Sequence, residues 1–140
     1  MLDPDNHSGG FNPMRWNCDS QGCFNIKCRP KLEVFSECFP RRINFGDVDG
    51  LVELNNSFLM LEWKDKNSSI TKGQKFTYIR LSAINHSAVI VVNGSAETMR
   101  VESFFTFQNG QQKDLQNGTL EDLKTKIRGW VSMVEGKRHD

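Results

Sequence analysis

The sequence predicts an α/β sandwich, and three observations carry that expectation. Two apolar runs within 47–64 flank Asn55-Asn56; asparagine tolerates positive φ, so the pair reads as the two-residue turn of a β-hairpin. Residues 87–92 (SAVIVV) form a continuous apolar run, as a strand buried on both faces does, and residues 98–107 (TMRVESFFTF) alternate as a second strand. Residues 119–134 place Leu120, Leu123, Ile127, Trp130 and Val134 on one side of a helix and charges on the other.

The remaining elements follow in chain order. Residues 1–17, rich in Gly, Pro, Asn and Asp, read as a loose arm, and residues 18–40 hold all four cysteines. Pro30 suits the first position of a short helix over 31–38. Residues 41–140 form the main domain, in which a helix is expected over 71–84 with Thr71 near its start. Asn93-Gly94 is expected to turn the chain between the last two strands, with Gly118 before the closing helix and Gly136 ending it.

The totals exclude some classes and leave others open. A chain of 140 residues is long enough to bury a core. Apolar residues make up 37% and charged residues 25%, ordinary for a globular protein. Lys and Arg number 18 against 17 Asp and Glu, a net charge of +1. A protein gripping long stretches of phosphate is usually more basic, so any nucleic-acid contact must rest on a local patch. No apolar run is long enough to span a bilayer, and the N-terminus has no basic segment leading into an apolar one. A cytoplasmic protein with no membrane partner is therefore expected.

The chemistry concentrates on the hairpin. If Leu54 pairs with Ser57, counting outward sets Asp49 opposite Glu62 and Asp47 opposite Lys64. Side chains alternate across a strand, so these four groups share one face. The other face is Val48, Gly50, Val52, Leu54, Leu59, Leu61 and Trp63, nearly all apolar and expected to pack the core. Opposed residues in an antiparallel pair lie with Cα atoms roughly 4.5–5.5 Å apart. Two carboxylates at that spacing repel unless a cation lies between them, and Mg²⁺ accepts one or two carboxylates while keeping several waters. Lys64, one step along the same face from Glu62, is placed to orient a water or stabilise charge developing on a phosphate. Against this stands a plain cross-strand ion pair between Asp47 and Lys64.

An Asp opening one strand (Asp49-Gly50-Leu51-Val52) and Glu-x-Lys on the next (Glu62-Trp63-Lys64) resemble the core of the PD-(D/E)XK nuclease superfamily. The resemblance extends to Gln74, near the start of the following helix, where Holliday-junction resolvases and related phage or restriction-like nucleases carry a Gln. It covers roughly residues 45–92. It implies a restriction-endonuclease-like core, a mixed central sheet flanked by helices, and hydrolysis of DNA phosphodiester bonds. Asp49 and Glu62, joined by the backbone carbonyl of Trp63, would bind Mg²⁺ or Mn²⁺. Lys64 would assist the attacking water and Gln74 would position water or phosphate. A further metal ligand from a first helix has Glu33 and Glu37 as candidates, each equally well a solvated helix-face carboxylate. A homodimer is consistent with the resemblance. The rival expectation is a non-catalytic nucleic-acid-binding or zinc-containing interaction module on the same fold.

Cys18, Cys23, Cys28 and Cys38 fall within 21 residues. They suit either a structural zinc site made of four thiolates or four unligated thiols, because the spacing lacks paired C-x2-C knuckles. Cys38, within LEVFSECFP, also reads as a buried apolar residue. Arg41 and Arg42, just before the hairpin, and Tyr78, one turn after Gln74, are the candidate nucleic-acid contacts.

Overall fold

A computed structural model of the chain describes residues 30–65 and 68–136. The chain divides into two units, Met1–Gly46 and Asp47–Asp140. In the first, the segment after Pro30 winds as a 3-10 helix, Leu32–Cys38, rather than an α-helix, and no side chain caps its start. The Phe45 ring meets Phe35 and Phe39 edge-on, with centroids 6.1 and 5.4 Å apart. Cys38 is exposed, which corrects the expectation of a buried thiol. Cys18, Cys23 and Cys28 lie outside the described residues, and with them the zinc question.

The second unit is α/β, with an open mixed sheet of six strands: β1 (Gly50–Leu54), β2 (Ser57–Lys64), β3 (Ala88–Ser95), β4 (Arg100–Gln108), β5 (Gln111–Gln112) and β6 (Gln116–Asn117). Helix α1 (Lys72–Ser82) connects β2 to β3, which pair in parallel, and α2 (Leu120–Gly136) follows β6. The other pairings are antiparallel, in the order β1-β2-β3-β4-β5, with β6 also on β4.

The hairpin register is the expected one: Leu54 pairs with Ser57 and Gly50 with Leu61. Asn55 and Asn56 adopt φ of 52° and 65°, the paired positive values that a type I′ turn requires. The turn is tied to the rest of the domain by the Asn55 side chain, whose amide donates to the Val134 carbonyl at 3.1 Å.

Alternate residues of β3 feed two cores. Ala88, Ile90 and Val92 join Leu59, Phe104, Leu123, Trp130 and Val134 under α2. Val89 and Val91 join Met60, Tyr78 and Phe107 under α1. The helices therefore cover opposite faces of the sheet. The starts of both helices follow from local chemistry. Thr71 caps α1 through a reciprocal capping box with Gln74, and Thr119 accepts from the Asp122 amide at 3.3 Å while Asp122 accepts from Thr119 N at 2.8 Å.

Two expectations need correcting. Val48 and Val52 do not pack the core; they are 48% and 51% exposed, Val52 on the edge strand β1 and Val48 ahead of it. Of the expected apolar face, Leu54, Leu59, Leu61 and Trp63 pack beneath α2. Helix α1 lies over the opposite, acid-bearing face through Met60 and Tyr78. Asn93-Gly94 does not turn the chain. The strand runs on to Ser95 with its register shifting between those two residues, and the turn falls at 96–99, where Met99 takes φ of 58°. Glycine is needed at 94 for close approach, since a Cβ there would collide with the Arg100 carbonyl. No helix among the described residues is long and apolar enough to cross a membrane.

Candidate functional site at the hairpin

Asp49 immediately precedes β1. Its Oδ2 accepts a hydrogen bond from the Trp63 amide at 2.7 Å, so a side chain takes the place of the next backbone rung of the ladder. Asp49 stays exposed, while Glu62, across the hairpin, is 8% exposed. The difference has a topological cause: β1 is an edge strand, whereas β2 is flanked by β1 and β3 and lies under α1.

Burial pushes the Glu62 carboxyl above its ordinary value, and the charge of Asp49 adds to the rise. Two groups oppose it. Lys64 Nζ lies 3.5 Å from Glu62 Oε1, and the Tyr78 hydroxyl donates to the Glu62 carboxylate. Tyr78 is 3% exposed, and burial together with the Glu62 charge drives its phenol well above the usual range. It therefore stays protonated and remains a donor. This corrects its assignment as a nucleic-acid contact: the ring packs edge-on against Phe107, centroids 5.6 Å apart, and is closed to a base or a phosphate.

Lys64 is held from its other side by Gln74, whose Oε1 accepts from Nζ at 3.3 Å. The same oxygen accepts from the Thr71 amide at 2.9 Å, and the Gln74 amide donates to Thr71 Oγ1 at 3.1 Å. Gln74 thus closes the first turn of α1 and positions the lysine together. The T-x-x-Q spacing is itself a capping signature and could have marked this half of its role in the sequence. Sequence reasoning placed Thr71 near the helix start and Tyr78 one turn after Gln74, but it missed the capping box of the first and the Glu62 partner of the second.

Asp49, Glu62, Lys64, Gln74 and Tyr78 are thus brought together. Asp47 is exposed and falls outside the β1–β2 ladder. Glu33, Glu37, Arg41 and Arg42 belong to the first unit and are exposed there; Arg41 and Arg42 follow its 3-10 helix with φ of 53° and 67°. Among the described residues no group of three or more His, Cys, Asp or Glu side chains forms a metal cage. Two carboxylates are nevertheless a donor set that suits Mg²⁺, which usually keeps several of its waters. Comparisons with family models, with curated proteins and with solved structures find no match to this chain.

Proposed function

We propose that this chain is a divalent-metal-dependent nuclease that hydrolyses DNA phosphodiester bonds, built on a restriction-endonuclease-like core of the PD-(D/E)XK type. The observation that carries the reading is the convergence of Asp49, Glu62, Lys64 and Gln74 at one end of the β1–β2 hairpin, with a buried carboxylate facing a like charge. The ion pair of Glu62 with Lys64 and the hydrogen bond from the Trp63 amide to Asp49 are structural contacts in themselves; the metal reading adds a reason for setting a second acid beside a buried one.

Asp49 and Glu62 would hold Mg²⁺ or Mn²⁺. The Trp63 carbonyl fits as a further ligand, because the N–H and C=O of a strand residue leave on the same edge and this N–H meets Asp49. When bound, the ion supplies Lewis acidity toward a phosphoryl oxygen and lowers the pKa of a bound water. The chain's own groups do the rest. Lys64 Nζ, steadied by Gln74, donates to the attacking water or to charge developing on the phosphate. Tyr78 fixes one Glu62 oxygen as a hydrogen-bond acceptor and keeps the carboxylate in a single orientation.

The direct test is incubation of the protein with supercoiled, linear, branched and single-stranded DNA in Mg²⁺, Mn²⁺ or EDTA. Cleavage that needs the metal is expected, and folded protein inert toward every substrate in both metals overturns the reading. Tyr78→Phe keeps the ring packing and removes the donor to Glu62. Its Mn²⁺ affinity should fall by roughly 10–100-fold, as for other groups that orient a ligand from behind. Titration by calorimetry or by Mn²⁺ electron paramagnetic resonance measures this, and unchanged affinity would show that Tyr78 has no such role.

A further inference from the structure

On the α1 face, directly beside Lys64, lies a cavity of about 350 Å³. A larger one of about 520 Å³ lies on the other face, under α2, and includes none of the site residues. Lys64 lines the smaller cavity and also contacts Glu62, so an occupant of the cavity lies one side chain away from that carboxylate.

Its walls have a particular chemistry. Phe105 presents a partly buried ring, and Ile70 and the buried Val91 add apolar surface. Leu115, 59% exposed, contributes an aliphatic side chain that the fold itself does not cover. The polar members are Asn93 and Gln112, whose carboxamides each carry both a donor and an acceptor. Asn93 Nδ2 reaches Ser103 Oγ at 3.4 Å, a long contact that a better acceptor displaces readily. An aromatic face with apolar walls and paired amide groups is suited to a flat heterocycle with polar edges, and the volume is at the small end for ligand cavities.

We propose that this cavity receives one unstacked nucleobase of the strand being cut, which makes the enzyme selective for single-stranded or locally unpaired DNA. The inference rests on the nuclease reading for its location beside Lys64, while base capture itself can be measured without cleavage. The base stacks on Phe105 and offers its edge to Asn93 and Gln112, and its own phosphate falls toward Lys64. A base paired within a duplex must first be extruded, which costs unstacking and unpairing. The near-neutral chain agrees: with a net charge of +1 it has little general attraction for duplex phosphates, whereas stacking is independent of charge.

The test uses the full chain in EDTA, where no strand is cut. Fluorescence anisotropy compares a 20-nucleotide single strand with the duplex of the same sequence, and a single 2-aminopurine in the strand reports stacking by its quenching. Single-strand binding at least ~10-fold tighter than duplex binding is expected, with quenching on complex formation. Phe105→Leu, which keeps apolar volume, and Gln112→Ala, at an exposed position, should each weaken single-strand binding by roughly 10-fold and reduce the quenching, with the Tm of Gln112→Ala unchanged. Equal affinity for both DNA forms, or a folded Gln112→Ala and a folded Phe105→Leu that both bind and quench like the parent, overturns the proposal. Quenching that persists in a protein inert with Mg²⁺ and Mn²⁺ upholds the base site and removes the nuclease reading alone. Cleavage with no response in either variant removes the base site alone.

Discussion

Glu62→Gln is expected to abolish metal-dependent DNA cleavage and, in the metal-free protein, to raise thermal stability. If Glu62 is the metal ligand proposed, its loss should reduce activity by well over ~100-fold, beyond what removing a group behind a ligand costs. The gain in stability has a separate origin. Burial and the Asp49 charge hold the Glu62 carboxyl above its ordinary value of 4.5, so folding favours the protonated form. A group whose folded-state pKa is raised contributes its full stability below the unfolded value and loses it as pH rises through the folded value. Metal-free wild type should therefore lose stability relative to Glu62→Gln from about pH 4.5 upward toward neutrality, and the two should converge at lower pH. Mn²⁺ should raise the Tm of the wild type and leave that of the variant nearly unchanged, because a ligand raises the melting point only when it binds the native state in preference to the unfolded one. Differential scanning fluorimetry across pH, with and without Mn²⁺, reads all of this. A variant that cuts DNA like the parent, or that melts no higher at pH 7 without metal, would refute the assignment of Glu62.

Lys64→Ala should separate chemistry from metal binding. The ammonium contacts Glu62 Oε1 at 3.5 Å and Gln74 Oε1 at 3.3 Å but is not itself a ligand, so activity is expected to fall about 100- to 1,000-fold while Mn²⁺ still binds. Lys64 also counters the rise in the Glu62 pKa, and without it a proton competes harder with the ion. Affinity should consequently be near normal at pH 8 and weaker at pH 6. Lys64→Met retains most of the aliphatic stem of this half-buried side chain and should match Lys64→Ala in activity. Activity within a few-fold of the parent, or metal binding lost at pH 8, would move Lys64 out of this role.

The hairpin was legible because two local signals agreed. Two adjacent asparagines with positive φ and a period-2 pattern on both sides fix one register, and that register sets Asp49 near Glu62. The α2 stripe was legible for a similar reason, since Leu123, Trp130 and Val134 recur at helical spacing and all three are buried. The depth of Glu62 was not legible. Helix α1 has no clean apolar stripe: Phe76 is exposed, and the residue it buries most deeply among the aromatics is Tyr78, with a hydroxyl. Nothing local says that such a helix will settle over a pair of acids. The Asn93-Gly94 error has a different source, since a glycine required for close approach and one required for a turn look alike until the neighbouring strand is in place. Strands β5 and β6, two residues each, are set by pairing with β4 rather than by any pattern of their own.

A single oxygen of Gln74 serves both the Thr71 amide and the Lys64 ammonium. The first turn of a helix is the part that frays most easily, and here its opening also frees the lysine to swing into solvent. On the proposed function, warming would therefore disarm the site reversibly while the sheet beneath it stays intact, and cleavage is expected to fade at a lower temperature than the one at which the domain melts.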